Sequence, residues 1–349
     1  MPCHSRRLHR QVRAAAALFV VFFCTGLSTS ASSAEPRAAA PACAGVNMLD
    51  ELSTTAPAAH AEIKARASAT PNADAVLWRI ERKGVPASYL LGTIHMTDPR
   101  VTTLSPAVEK AIAASDTVAL EVADVSTDAT SAALAKAARL VLFTDGRTLD
   151  KLLSDEEYAK VKKTLSGAGL PGEAAAMFRP WVVSMILSVS ACERQKVKDG
   201  LPVLDMQIAS AARKRGVKVV GLETIESQLS AMAAIPDDQQ IAMLRASLKF
   251  AHRSNDTMET LLQLYLKRDM GAAWPFHLAL AEQAGVGRQS FAAFQKGIVN
   301  DRNEQMRDAA LPLIEKGRAL VAVGALHLVG DKGLVALLRG NGYALTPIE

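Results

Sequence analysis

Hydrophobic residues along the chain follow two spacings, one typical of strands and one typical of helices. Apolar runs at 76–80 and 87–91 flank Lys83-Gly84 and predict a β-hairpin. Similar short runs, rich in valine and leucine, predict four further strands at 117–122, 217–222, 320–326 and 343–347. Most predicted strands therefore lie near the two ends of the chain.

Helical spacing of apolar residues fills most of the rest. Ser105-Pro106 is a capping residue followed by proline, and it predicts a helix to about Ser115. Ser154 and Glu157 form a capping box that predicts a helix to about Ser166. Further helices are predicted at 47–68 with a break at Pro57, at 181–192, at 203–215, through most of 224–316 and at 333–339. The pattern predicts an α/β protein with a large helical insertion between two strand-rich regions.

The first 34 residues are typical of a secretory signal peptide. Four arginines precede an apolar stretch at 14–26, which is too short to span a bilayer, and small residues lead to Ala34. Lipidation at Cys24 is less consistent, because Phe22-Phe23 replace the small residues that it requires. We therefore expect a signal peptide at 1–34, an N-terminal arm at 35–71 and one domain at 72–349. The chain is expected to be secreted across the inner membrane, to the periplasm or beyond.

Cleavage of the signal peptide changes the charge and the cysteine count. The formal net charge of +5 falls to about +1, which argues against a nucleic-acid partner. No later apolar run is long enough for a transmembrane segment in the mature chain. Cys43 and Cys192 remain, and an oxidising compartment favours a disulfide between them over two separate thiols.

Two of the predicted strands run into the same motif, Gly-x-x-His. They end in Gly92-x-x-His95 and Gly324-x-x-His327, while two others end at Glu121 and Glu223. If these four strands share one parallel sheet, their carboxyl ends converge, and ligands of open α/β sheets bind there. Two imidazoles and two carboxylates are suitable ligands for Zn²⁺, Mn²⁺, Fe²⁺ or Co²⁺. The alternative for each residue alone is a structural hydrogen bond or a helix-dipole contact.

Arg302 is the candidate cationic group. It lies in the triplet Asp301-Arg302-Asn303, and an arginine there could neutralise a substrate carboxylate or an oxyanion. The alternative is a solvated helix start, because Asn300 and Asp301 are both good N-cap residues.

Taken together, these motifs resemble the TraB/GumN family, which includes the Tiki and PrgY proteins. The matching segments, which extend over roughly residues 72 to 348, are 90–95, 120–121, 179–181, 221–224 with Gln228, 301–303, and 324–327 with Gly330 and Gly333. The resemblance implies a fold related to the erythromycin-esterase-like and ChaN-like proteins. It also implies a site made from both Gly-x-x-His motifs, a glutamate and an arginine.

The resemblance implies a divalent-metal-dependent hydrolase that acts on a peptide or a secreted protein. We expect His95 and His327 to bind a divalent metal, which could be Mn, Co or Zn. The expected catalytic residues are Glu121, Glu223, Arg302 and Asn303. Two alternatives remain at this stage: a non-catalytic binder of a peptide or a haem-like ligand, and an esterase that acts on a small molecule.

Overall fold

A computed structural model describes residues 43–124 and 127–349 of the chain. The predicted signal peptide and its cleavage site therefore lie outside the described residues, as does the start of the predicted arm. Within the described residues, no helix is long and apolar enough to cross a membrane.

One mixed sheet organises the molecule. Its strands are β1 (Leu77–Arg82), β2 (Val85–Thr93), β3 (Thr117–Leu120), β4 (Lys218–Gly221), β5 (Ala319–Gly324) and β6 (Ala344–Pro347). Their order in space is β4-β3-β5-β2-β1-β6. The predicted hairpin is confirmed, because β1 and β2 pair antiparallel around Gly84, whose positive φ of 81° suits glycine at a tight bend. The other four predicted strands are also present.

Helices surround the sheet. They are α1 (Met48–Thr55), α2 (Pro57–Ser68), α3 (Pro99–Thr102), α4 (Pro106–Ala113), α5 (Thr127–Lys136), α6 (Ala138–Val141), α7 (Asp155–Gly167), α8 (Pro180–Ser188), α9 (Ala191–Lys198), α10 (Leu204–Lys214), α11 (Ile225–Ala233), α12 (Asp237–Phe250), α13 (Ser254–Leu266), α14 (Ala273–Gln283), α15 (Ala292–Phe294), α16 (Asp301–Lys316) and α17 (Leu334–Gly340). Most predicted helix ends agree to within about two residues, the usual uncertainty of such boundaries.

The helix predicted at 181–192 is an exception. The chain leaves the helical conformation at Val189 and Ser190, and the Ser190 side chain accepts a hydrogen bond from the N–H of Glu193. Serine stabilises a helix start in this way, so α8 ends and α9 begins within one apolar stretch. The pattern also missed α5 and α6, whose apolar residues form no clear stripe.

Four strands run parallel, and their carboxyl ends meet at one edge of the sheet. In the register of the sheet, Thr93 of β2 lies beside Gly324 of β5, and Leu120 of β3 lies beside Gly221 of β4. β5 also pairs parallel with β3, which completes the row. The predicted convergence of these strand ends is therefore present.

Alternate residues of the central strands face two different cores. Leu91 of β2 and Leu320 of β5 pack with α4, α10 and α14, whereas Leu90 and Val321 pack with α16 and α17. A third cluster, around the fully buried Trp181, forms the interior of the helical insertion. Coverage on both faces is typical of parallel sheets, and it leaves the strand ends as the place where polar groups can meet a ligand.

Residues of the predicted N-terminal arm pack on the body of the molecule. Cys43 forms a disulfide with Cys192 of α9, as the sequence predicted for an oxidising compartment. The N–H of Met48 donates to the Thr260 hydroxyl of α13 over 2.8 Å, and Ile63 of α2 is buried. These contacts attach α1 and α2 to the helices that flank the sheet.

Candidate functional site

A buried arginine joins the two glutamates at the carboxyl edge of the sheet. Arg302 Nη2 donates to Glu121 Oε2 over 2.7 Å and to Glu223 Oε2 over 2.6 Å. Its Nε donates to Glu223 Oε1 over 2.9 Å. The Arg302 side chain is 10% exposed and those of the glutamates are 12% and 3% exposed. Charge-assisted bonds of this kind are strong when they are buried, so the three groups form one rigid unit.

The backbone before Arg302 explains its position. A π-helix, Gln295–Asn300, runs directly into α16. Arg302 Nη1 donates to the carbonyl oxygen of Ile298 over 3.2 Å, within this irregular turn. Short π segments inside helices are frequent at functional sites. The alternative of a solvated helix start is wrong, because Arg302 is buried and the helix continues from the π turn.

Glu121 accepts two further hydrogen bonds, which stabilise its ionised form. The N–H of Gly324 donates to Oε1 over 2.8 Å, and Gln228 Nε2 donates to Oε2 over 3.1 Å. Burial alone raises the pKa of Glu121, but the positive charges around it and the Gly324 N–H outweigh burial and lower the pKa to about 2. Arg302 is the permanent charge among them. Glu121 is therefore an anion at neutral pH.

His327 is held as a neutral imidazole with one free ring nitrogen. Asn303 Nδ2 donates to the carbonyl oxygen of Lys332 over 2.8 Å, which turns Asn303 Oδ1 toward His327 Nδ1 at 2.7 Å. Since Oδ1 can only accept, Nδ1 carries the proton. Burial lowers the pKa of His327 to about 4. The lone pair on Nε2 then faces Glu121 Oε1 at 3.8 Å.

His95 is held differently. Its Nδ1 lies 2.7 Å from Asp205 Oδ2, and the Thr93 hydroxyl donates to Asp205 Oδ1, also over 2.7 Å. The negative charge of Asp205 raises the pKa of His95 to about 9, against the opposing effect of burial. The His95 side chain is 57% exposed to solvent, so a ligand can reach its ring.

The two imidazoles and Glu121 surround one small volume beside Gly324. A Cβ atom at Gly324 would lie 3.3 Å from Glu121 Oε1, 3.6 Å from His327 Cδ2 and 4.0 Å from His95 Nε2. The glycine therefore keeps this volume open. Gly92 has another function, because a Cβ there would come within 3.0 Å of Ala325. It lets β2 and the segment after β5 approach closely.

The structure thus brings together all six predicted site residues, but they do not all face the same volume. His95, His327 and Glu121 face the volume beside Gly324, Glu223 and Arg302 lie behind Glu121, and Asn303 contacts His327. Nowhere in residues 43–124 and 127–349 do three or more His, Cys, Asp or Glu side chains already form a group that could hold a metal.

Sequence reasoning missed Asp205 and left Gln228 as an unassigned part of a motif. Asp205 lies in the first turn of α10, where an acidic residue is ordinarily explained by the helix dipole. Nothing local distinguishes it from any other acid at a helix start. Only the tertiary fold, which places α10 beside the end of β2, reveals that it contacts His95.

Comparisons with known proteins agree with this arrangement of motifs. A family model described as the TraB/PrgY/gumN family matches residues 76–347. The uncharacterized protein YbaP of Escherichia coli (strain K12) is 24% identical over 256 residues, which cover 72% of this chain and 87% of YbaP. The metalloprotease TIKI1 of Danio rerio is 26% identical over 322 residues, which cover 78% of this chain and 63% of TIKI1. The metalloprotease TIKI2 of Xenopus tropicalis is 26% identical over 316 residues, 76% of this chain and 58% of TIKI2. No solved structure matches the chain.

Proposed function

Because this chain belongs to the TraB/PrgY/gumN family, we propose that it is an exported metal-dependent hydrolase that cleaves peptides at the carboxyl edge of its parallel strands. The observation that carries the proposal is the open volume beside Gly324, which both Gly-x-x-His imidazoles and Glu121 surround. The name metalloprotease, carried by relatives at 26% identity, supports a metal and a peptide or protein substrate. The disulfide supports export to an oxidising compartment.

The groups beside Gly324 fit a divalent cation in kind. His327 Nε2 has a free lone pair, Glu121 is ionised, and a Cβ-sized volume lies between them and His95 Nε2. These three side chains would hold Mn²⁺, Co²⁺ or Zn²⁺, all of which accept nitrogen and carboxylate ligands. When bound, such an ion supplies a Lewis acid that polarises a carbonyl and makes water nucleophilic near neutral pH.

The remaining residues have distinct roles in the proposal. Asn303 keeps the proton of His327 on Nδ1, so that Nε2 stays available. Glu223, the second carboxylate at this edge, would take the proton of the attacking water; its Oε1 accepts only from Arg302 Nε among the described residues. Arg302 has one Nη1 N–H beyond its bond to Ile298, and this N–H would stabilise the developing oxyanion.

A second candidate function is the non-catalytic capture of a peptide or a haem-like ligand. Two observations favour it: Arg302 already donates hydrogen bonds to both glutamates, and the described residues contain no preformed three-ligand group. The relation to the ChaN-like and erythromycin-esterase-like folds, which we also propose, is compatible with either function.

The test uses the full chain, exported through its own leader and purified from the periplasm of an expression host. We expect N-terminal sequencing to give cleavage after Ala34 and mass spectrometry to give one divalent metal per chain. Added Mn²⁺, Co²⁺ or Zn²⁺ should allow many peptide equivalents to be cleaved per molecule. His327→Ala should abolish cleavage, whereas the exposed Asn341→Ala should not.

Two results would decide against the hydrolase. The absence of both bound metal and peptide cleavage with all three ions would exclude it. Stoichiometric uptake of peptide or haem without turnover, retained in His327→Ala, would instead establish the binder.

A further inference from the structure

We propose that Asp205 is a positioning residue of this site, which holds the His95 imidazole so that its Nε2 faces the volume beside Gly324. The orientation is a property of the chain itself, while its consequence for metal binding rests on the proposed function. Neither the motifs nor the family resemblance pointed to this residue.

The geometry leaves the carboxylate of Asp205 little freedom. Oδ1 accepts the Thr93 hydroxyl and Oδ2 lies 2.7 Å from His95 Nδ1. A carboxylate can only accept, so the proton between Asp205 and His95 belongs to Nδ1. Thr93 is the last residue of β2, and His95 follows two residues later. Asp205 therefore forms hydrogen bonds with both the end of the strand and the imidazole. The ring is mostly exposed, and packing alone would not fix its orientation.

The start of α10 is itself attached to the same segment. The N–H of Leu204 donates to the carbonyl oxygen of Met96 over 3.1 Å, one residue before Asp205. Glu193 of α9 accepts the N–H of Thr97, so that a second helix fixes the chain beyond His95. Strand end, imidazole and helix start thus form one connected unit, which explains how an acid 110 residues away in sequence can orient His95.

The two imidazoles differ in the chemistry of their supports. An amide, Asn303, holds His327, whereas a carboxylate, Asp205, holds His95. A carboxylate on Nδ1 fixes the tautomer and makes Nε2 a better electron donor, and loss of such a partner typically weakens metal affinity by about 10–100-fold. Asp205 is therefore expected to act through His95 alone and to leave His327 unchanged.

The first experiment needs no metal. The full chain is expressed with ¹⁵N-histidine, and the exported protein is purified and stripped of metal with a chelator. The His95 Nδ1–H signal is identified by its absence in His95→Gln. We expect this signal to be protected from solvent exchange in the native chain and lost in Asp205→Ala. Asp205→Asn should retain it, because the amide oxygen can accept from His95 while the amide nitrogen donates to Thr93. Asp155→Ala, which removes an exposed first-turn acid from α7, is the matched control for the helix dipole.

The second experiment measures Co²⁺ affinity by competition with a chelating dye. We expect Asp205→Ala to bind Co²⁺ about 10–100-fold more weakly than the native chain, and Asp155→Ala to bind it unchanged. If the native chain binds none of Co²⁺, Mn²⁺ and Zn²⁺, the metal-dependent function is wrong, and the histidine signal alone decides the role of Asp205. A protected His95 signal in Asp205→Ala, or undiminished Co²⁺ affinity in that variant, would overturn the inference and leave the proposed hydrolase standing.

Discussion

Individual contacts at this site shift the pKa values of its two histidines in opposite directions. His327 is buried, donates to an amide oxygen and has a lowered pKa, so it prefers to be neutral. His95 is open to solvent, contacts a carboxylate and has a raised pKa, so it prefers to be protonated when no metal is bound. Identical Gly-x-x-His motifs therefore produce two different chemical groups.

Asn303→Ala is expected to remove the hydrogen bond that holds the His327 imidazole. The variant leaves the buried Nδ1–H of His327 and the carbonyl of Lys332 without their partner, which should reduce the free energy of unfolding by about 1–3 kcal/mol. Urea denaturation measures this loss. Asn341→Ala removes one exposed side-chain bond and should change stability by less than about 0.5 kcal/mol. Equal stability of the two variants would contradict the assigned role of Asn303.

The pH dependence of the metal-free protein should separate the histidines. The folded pKa of His327 is about 4 against 6.5 in the unfolded chain, so the unfolded state takes up protons first as the pH falls. Stability should therefore be lost between pH 6.5 and 4, by roughly 3 kcal/mol. For His95, with a folded pKa of about 9, the sign is opposite: its contribution is complete below pH 6.5 and is lost as the pH rises to 9.

His327→Asn should accordingly reduce the change in the free energy of unfolding with pH below 6.5. His95→Asn should reduce that change between pH 6.5 and 9. His277 needs a control, because burial also lowers its pKa to about 4. The comparison below pH 6.5 is therefore made in a His277→Asn background. If His327→Asn does not change how the free energy of unfolding falls below pH 6.5 in this background, the lowered pKa does not belong to His327.

Among the structural elements, the ends of β2 and β5 differ as much as their histidines do. The end of β2 approaches the Ala325–His327 turn so closely that a Cβ at position 92 would lie 3.0 Å from Ala325, and Ala325 would have to shift. The end of β5 instead borders the open volume that Gly324 leaves free. The glycine of the first motif therefore permits close packing, whereas the glycine of the second motif leaves space at the site.

Gly92→Ala and Gly324→Ala form a matched pair of variants. Gly92→Ala should lower the free energy of unfolding by about 1–3 kcal/mol, because its Cβ would contact backbone and side chain at 3.0 Å. Gly324→Ala has a nearest contact of 3.3 Å to a carboxylate oxygen and should unfold almost normally, yet lose Co²⁺ binding and peptide cleavage. Calorimetry with a Co²⁺ titration separates the two effects. Similar melting temperatures for the two variants would refute the distinction.

At the scale of the whole molecule, the disulfide connects the N-terminal segment to the helix beside the site. Cys43 and Cys192 are separated by 149 residues, and their bond restricts the unfolded chain over that distance. The helix that carries Cys192 also carries Glu193, which binds the segment after His95. Formation of the disulfide and the order of the site are therefore connected.

The double variant Cys43→Ser/Cys192→Ser should lose about 2–4 kcal/mol of unfolding free energy. Thiol reductant should lower the stability of the native chain by a similar amount and leave the double variant unaffected. Equal stability of the native chain with and without reductant, after confirmed reduction, would show that the disulfide is not structural.

Much of the fold follows from local sequence signals. Strand runs, the Ser105-Pro106 start and the Ser154 capping box were confirmed because each depends on neighbouring residues only. The helix predicted at 181–192 was wrong because the apolar pattern hides the cap at Ser190. The family resemblance was confirmed by the match over 76–347. The roles of the site residues and the domain boundaries stay predictions.

The sequence by itself determined that His95, Glu121, Glu223 and His327 closely follow four strands, because strand and turn signals are local. Tertiary structure alone decided how these groups differ. The parallel register placed Glu121 against Gly324, the π turn aimed Arg302 between the glutamates, and α10 brought Asp205 to His95. Charge, tautomer and orientation depend on contacts between residues that are distant in sequence, and no local pattern encodes them.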